Sequence, residues 1–208
     1  MQHRDIEQGS DAWKEIRLGR VTASRVADII AKTKSGYSAS RANYAAQLVA
    51  ERLTGTVQES YVNAAMQHGI DTESEARDAY SFRTDATVAE IGFVVHPAIT
   101  QSGASPDGLI GDDGLLEIKC PQTNTHIETL LGASVPGKYV TQIQWQLACT
   151  QRAWCDFVSY DPRMPEEMRL FIQRIARDDV QILGLEGEVR AFLDEVETTV
   201  QKIKARYG

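Results

Sequence analysis

Apolar residues change their spacing along the chain, and each change marks an element. Trp13, Ile16 and Leu18 follow Ser10, a side chain suited to cap a helix start, and precede Gly19, suited to end one. Val26, Ile29 and Ile30 predict a second helix starting at Thr22, after which Lys32-Thr33-Lys34-Ser35-Gly36 reads as a basic, flexible loop. Tyr44, Leu48 and Leu53 predict an amphipathic helix over 40–54, closed by Gly55. Residues 70–82 predict a further helix with Glu73, Arg77 and Tyr80 on one face, and by spacing alone Glu73 is a solvated helix charge.

From Thr87 the pattern becomes that of strands: Val88, Ile91, Phe93, Val94 and Val95, then 101–104. Residues 105–121 predict a hairpin, with Leu109-Ile110 and Leu115-Leu116 apolar on either side of a Gly-Asp-Asp-Gly turn whose residues tolerate positive φ. Helices over 123–132 and 139–150 follow, then strands over 154–160 and 168–175. A last helix over 178–206 aligns Leu185, Val189, Phe192, Val196, Val200 and Ile203 on one stripe. The fold class is α/β: a central mixed sheet flanked by helices. The expected organisation is a single domain over 1–208, with a helical part at about 10–82, a core at about 87–175 and the C-terminal helix.

A chain of 208 residues that is 42% hydrophobic can bury one substantial core. Its net charge of −7 argues against a general nucleic-acid coat, so any DNA contact must be local, with Arg17, Arg20, Arg25, Lys32 and Lys34 as the basic spots. No run approaches the roughly 18 apolar residues of a membrane span, and the N-terminus lacks an apolar signal core, so the expected location is cytoplasmic. Cys120, Cys149 and Cys155 form no CxxC pair and leave an odd count, which argues against disulfides and against a zinc or iron–sulfur site. The four histidines lack metal-ligand spacing and receive no catalytic role.

The hairpin is where chemistry concentrates. Pairing of its strands brings the Asp107 and Glu117 carboxylates close, with Lys119 on the face of Glu117 because side chains alternate. Adjacent acids repel unless a cation lies between them, and hard oxygen donors suit Mg²⁺ or Mn²⁺. The same spacing also describes an exposed acidic turn followed by an edge-strand lysine. Arg17, Thr22 and Ser24, near a helix start, offer a guanidinium, hydroxyls and free amides to a terminal phosphate, or else simply form a capped surface helix.

Asp107, Glu117-Ile118-Lys119 and the helix carrying Gln142 and Gln144 resemble the PD-(D/E)xK, restriction-endonuclease-like nuclease core. The blocks Gly9-Ser10-Asp11-Ala12-Trp13, Arg17-Leu18-Gly19, Val21-Thr22-Ala23-Ser24, Ser105-Pro106-Asp107-Gly108-Leu109, Leu116-Glu117-Ile118-Lys119-Cys120-Pro121 and Tyr160-Asp161-Pro162-Arg163-Met164 resemble, in order, the phage lambda exonuclease or YqaJ-type viral recombinase family. The resemblance implies that Asp107, Glu117 and the Ile118 carbonyl are divalent-metal ligands, and that Lys119 orients or deprotonates the attacking water. It implies that Glu73 reaches a second metal or its water, and that Tyr139 and Gln142 stand on the helix behind the site. Arg17, Thr22 and Ser24 correspond to a 5′-phosphate pocket, Lys34 to a DNA-engaging loop residue that is an arginine in the family, and Met66 to an apolar wedge that is a leucine there.

The activity so implied is 5′→3′ digestion of one strand at double-stranded DNA ends, leaving a 3′ overhang for single-strand annealing recombination. It would use Mg²⁺, two ions per site, with Mn²⁺ able to substitute, and the lysine beside these cations is expected to have a lowered pKa. A toroidal homotrimer and a Bet/RecT-like single-strand annealing partner are implied as well. An endonuclease with the same core, and a DNA-end-binding module without catalysis, are the competing readings.

Overall fold

The structure, a computed structural model, describes residues 2–3, 6–58 and 64–208, with only the backbone of Gln2, His3 and residues 64–66. In chain order the elements are β1 (Gln2–His3), α1 (Asp11–Arg17), β2 (Val21–Thr22), α2 (Val26–Ile30), β3 (Lys32–Thr33), β4 (Gly36–Tyr37), α3 (Ala39–Thr54), α4 (Ala64–Thr84), β5 (Val88–Ala89), β6 (Phe93–Val95) and β7 (Ser102–Ala104). They continue with β8 (Gly108–Ile110), β9 (Gly114–Lys119), α5 (Thr123–Gly132), α6 (Gly137–Thr150), β10 (Trp154–Tyr160), β11 (Leu170–Ala176) and α7 (Asp179–Tyr207).

The main sheet runs β11-β10-β9-β8-β5 and is mixed, since β10 lies parallel to β9 while its other pairings are antiparallel. Period-two alternation in β9 separates its two faces. Leu115 joins the larger core with Phe157 of β10, Ile143, Trp145 and Leu147 of α6, Tyr44 and Leu48 of α3, and Phe192 and Val196 of α7. Leu116 and Ile118 face the other way, against Ala76 and Tyr80 of α4 and Val158 and Tyr160 of β10. Helices thus cover both faces of a mixed sheet, as the hydrophobic pattern predicts.

Several elements differ from expectation. The stretch 88–95 forms two strands in two sheets: β5 belongs to the main sheet, while β6 pairs with β7 in a second sheet ordered β1-β6-β7-β2. The break is held from the N-terminal segment, where Gln8 Nε2 donates to the Ile91 carbonyl at 2.8 Å and Trp13 Nε1 to the Gly92 carbonyl at 3.2 Å. The basic loop at 32–36 is part of a β3–β4 hairpin in the register Lys32↔Tyr37 and Thr33↔Gly36, with Gly36 at φ +122° and Lys34 exposed at the tip. Thr22 precedes a short 3-10 turn before α2, and α4 begins at Ala64, earlier than apolar spacing alone indicates. Leu53 is exposed, because five residues beyond Leu48 a helix position has rotated about 140° away from it. In the Gly-Asp-Asp-Gly turn only Gly111 has positive φ, +51°; Gly114 is required because a Cβ there would meet the Trp154 ring at 2.3 Å.

Candidate active site

The β8–β9 register sets Gly108 opposite Leu116, so Asp107 and Glu117 are neighbours across the hairpin. Two bonds fix Asp107: its amide donates to the Leu116 carbonyl at 3.1 Å, and its Oδ2 accepts from the Ile118 amide at 2.6 Å. Burial, and then the charge of Glu117, hold its carboxyl well above the usual carboxylate range.

Glu117 is fully enclosed and is gripped from α6. Gln142 Nε2 donates to its Oε1 at 2.6 Å and Gln146 Nε2 to its Oε2 at 2.5 Å, while Lys119 Nζ forms an ion pair with Oε1. Lys119 also lies over the Tyr139 ring, 5.4 Å from its centroid, and that ring in turn stacks on Phe157. Burial lowers the affinity of Lys119 for its proton, but Glu117 and Asp107 outweigh burial and push the pKa above that of a free lysine. The nearest charges are carboxylates, and they favour the ammonium form.

Glu73 faces the same chemistry from α4. It lines a cleft of about 380 Å³ together with Glu7, Gln8, Arg77, Glu90 and Asp107. Arg77 Nη2 binds Glu73 at 2.8 Å and its Nη1 pairs with Glu90, so Glu73 is a held side chain and not the freely solvated charge its spacing alone indicates. Burial raises the Glu73 pKa, with Arg77 and Lys119 opposing.

A second pocket, of about 170 Å³, adjoins the first. It is lined by Gln8, Trp13, Arg17, Thr22, Ser24, Ser105 and Gln142. Arg17, Thr22 and Ser24 therefore converge, as their spacing suggests. The Arg17 guanidinium lies 3.6 Å from the Trp13 ring centroid and has no hydrogen bond or ion pair among the described residues. Burial lowers its pKa to about 10, which leaves it a cation at neutral pH. Gln8 borders both cavities, and Gln142, which lines the second, also holds Glu117.

Lys34 stands apart at the tip of the β3–β4 hairpin, which is tied to α7 by the 2.7 Å bond from the Tyr37 hydroxyl to Glu188 Oε2. The Met66 side chain lies outside the described residues. Sequence reasoning missed Gln8, Ser105 and Gln146; the available signal for Gln146 was a polar residue one turn beyond Gln142 on a face otherwise filled by Ile143 and Leu147. Gln144 has a structural role, accepting from the Asp178 amide and donating to the Ala176 carbonyl.

The donors suit a hard divalent cation: two desolvated, mutually repelling carboxylates, with Ile118 between the acid and lysine of β9. Among the described residues no group of three or more His, Cys, Asp or Glu side chains gathers as a ready metal cage, so a backbone carbonyl and water or phosphate oxygens would have to complete the shell.

Comparison with known proteins bears on the same residues. The chain is 51% identical to LHK-Exo, an alkaline exonuclease from Laribacter hongkongensis, over 95% of this chain and 97% of that one, with a TM-score of 0.89; LHK-Exo has also been solved in complex with dAMP. A phage-related exonuclease from Haemophilus somnus 129PT shares the fold at 15% identity and a TM-score of 0.71, over 88% of this chain and 96% of that one. An uncharacterized protein, R354 of Acanthamoeba polyphaga mimivirus, is 32% identical over 109 residues; the match spans 46% of this chain and only 20% of that relative's length. Residues 12–153, which carry the Arg17 pocket, the Asp107–Lys119 hairpin and the α6 glutamines, match the YqaJ-like viral recombinase domain, and the chain belongs to that family.

Proposed function

We propose that the protein is a divalent-metal-dependent DNA exonuclease that digests one strand 5′→3′ from duplex ends and leaves a 3′ overhang. The observation that carries this reading is the adjacency of two sites. A hairpin with Asp107, Glu117 and Lys119 shares Gln142 and Gln8 with a small pocket in which the Arg17 guanidinium has no ion-pair partner among the described residues. A pocket of about 170 Å³ is suited to a terminal phosphate rather than to a continuous duplex. The likeness to an alkaline exonuclease, and that enzyme's complex with a deoxynucleoside monophosphate, support DNA as the substrate.

Asp107, Glu117 and the Ile118 carbonyl would hold Mg²⁺, with Glu73 serving a second ion and Mn²⁺ able to replace either. When bound, such a metal supplies Lewis acidity at the phosphate and lowers the pKa of its water. The chain's own groups do the rest. Arg17, Thr22 and Ser24 bind the 5′ end, Trp13 keeps the guanidinium plane in place, and Gln142 fixes Glu117 beside that end. Lys119, steadied by Glu117 and the Tyr139 ring, orients the attacking water through its ammonium hydrogens. Lys34 would contact DNA at a distance and Met66 would unstack the terminal pairs. Family resemblance extends the proposal to a ring-shaped homotrimer and to a Bet/RecT-like annealing partner, which sizing in solution and co-purification would test.

The direct test uses one linear duplex labelled on either strand, with a 5′-phosphate or a 5′-hydroxyl, and a closed circle, all in Mg²⁺. Loss of the 5′-phosphorylated strand alone, with the circle intact, is expected. Cutting of the circle would establish the endonuclease reading instead, and loss from 3′ ends would reverse the polarity.

A further inference from the structure

Three polar side chains meet at Glu117, and they divide unequally between its oxygens. Oε1 receives both Gln142 and Lys119, whereas Oε2 receives only the Gln146 amide among the described residues. Gln142 also lines the neighbouring pocket, so its side chain faces two sites. Gln146 faces one. It is fully buried, one helical turn beyond Gln142, in a stretch of α6 whose Ile143, Trp145, Leu147 and Ala148 are all enclosed. Its own Oε1 has no partner among the described residues. A buried amide with an unpaired acceptor is a poor space-filler, since an apolar side chain of the same length would remove that penalty. Its presence is accounted for by the donor it aims at Oε2.

We propose that Gln146 is a positioning residue for Glu117: it locks the carboxylate plane by holding the oxygen that Gln142 and Lys119 do not reach. A carboxylate anchored at one oxygen can still turn about its terminal torsion, a broad and soft rotation. Anchored at both, it presents one fixed geometry to a cation. This inference rests on the reading of Glu117 as a metal ligand. Partners that orient a ligating side chain characteristically change metal affinity by about 10–100-fold when removed.

The experiment is calorimetric titration of Mn²⁺ into the full chain without DNA, for wild type, Gln146→Met, Gln146→Asn, Gln144→Met and Glu117→Gln, with a thermal melt of each metal-free protein. Gln146→Met keeps the length and removes the donor. Gln146→Asn keeps the amide but falls one methylene short, so a folded variant is available even if one of the two is unstable. Both are expected to bind Mn²⁺ about 10–100-fold more weakly. Gln144→Met, which removes the buried amide on the side of Ala176 and Asp178, is expected to melt earlier with its Mn²⁺ affinity unchanged. Wild-type affinity in both Gln146 variants, or equal weakening in Gln144→Met, would overturn the proposal. If Glu117→Gln itself bound Mn²⁺ like wild type, the metal-ligand reading would be refuted, and the inference with it.

Discussion

Arg17→Ala gives the sharpest test of end recognition. In the protein alone the guanidinium rests on Trp13 and makes no hydrogen bond or ion pair among the described residues, so its removal breaks no internal bond. What is lost is one cation–π contact, about 0.5–1 kcal/mol at a partly exposed site, which lowers stability slightly without unfolding the chain. For a bound phosphate the loss is larger. Charge-assisted hydrogen bonds contribute about 1.5–3 kcal/mol, and each 1.4 kcal/mol is about tenfold, so digestion of 5′-phosphorylated ends should slow by roughly 10- to 100-fold.

The assay is the ratio of initial rates on 5′-phosphate and 5′-hydroxyl duplexes, because the hydroxyl substrate corrects for any general loss of folded enzyme. The ratio should collapse toward one in Arg17→Ala. Arg17→Lys, which keeps the charge and loses the planar fork, should fall between. An unchanged ratio in Arg17→Ala would refute the reasoning: Arg17 would then serve only to pack Trp13, and polarity would arise elsewhere.

Three further outcomes are expected. Lys119→Ala should lower the cleavage rate by about 10²–10⁴ while DNA-end binding by gel shift persists, since Gln142 and Gln146 still hold Glu117; loss of end binding would count against the assignment. Asp107→Asn should relieve the repulsion with Glu117, raising the metal-free melting temperature by about 2–4 °C for each kcal/mol relieved, and should abolish the rise produced by Mg²⁺; a surviving Mg²⁺ shift would show that Asp107 is not a ligand. Asp161 is buried, which alone would raise its pKa, but hydrogen bonds from Arg163 and Thr123 overcome this and lower it to about 2. A depressed carboxylate stabilises the fold above its unfolded value and loses that contribution as pH falls from about 4 to 2. Asp161→Asn should therefore cost about 2 kcal/mol at neutral pH by urea unfolding, and an equal cost at pH 2 would contradict this.

How far the sequence could be read followed from how local each signal is. The hairpin acids were legible because strand alternation and one turn fix Asp107, Glu117 and Lys119 within a few residues of each other. The α7 stripe from Leu185 to Ile203 was legible for the same reason, and all its members except the partly buried Ile203 are enclosed. The split of 88–95 into two sheets was not, since it depends on Gln8 and Trp13, some eighty residues earlier, satisfying the backbone at Ile91 and Gly92. Gln146 offered only a weak signal, a polar residue one turn beyond Gln142, and its carboxylate partner, on a strand 29 residues away, is what gives it meaning. The Tyr160–Met164 block shows the converse. It resembles a family motif, yet its visible chemistry is a fork, Arg163 Nε and Nη2 on Asp161 Oδ1 and Oδ2 at 2.7 and 3.1 Å, which shapes the turn after β10.

The charge of −7 is at first sight awkward for a protein that handles a polyanion. The ion pairs explain how both hold. Arg41 binds Glu195, Arg52 binds Glu197, Arg77 binds Glu73 and Glu90, Arg163 binds Asp161, Arg174 binds Asp156 and Arg177 binds Asp179, so these cations are neutralised by acids of the same chain. A surface of this kind attracts the duplex backbone weakly, because backbone affinity grows with the number of phosphates neutralised. Arg17 differs, since it lies in a small pocket and has no acid bound to it among the described residues. A phosphate in the middle of a strand is flanked by sugar on both sides and cannot enter such a pocket, whereas a terminal phosphate can. On the proposed function, a preference for ends would follow from where the Arg17 guanidinium is placed, and it would require no strongly positive exterior.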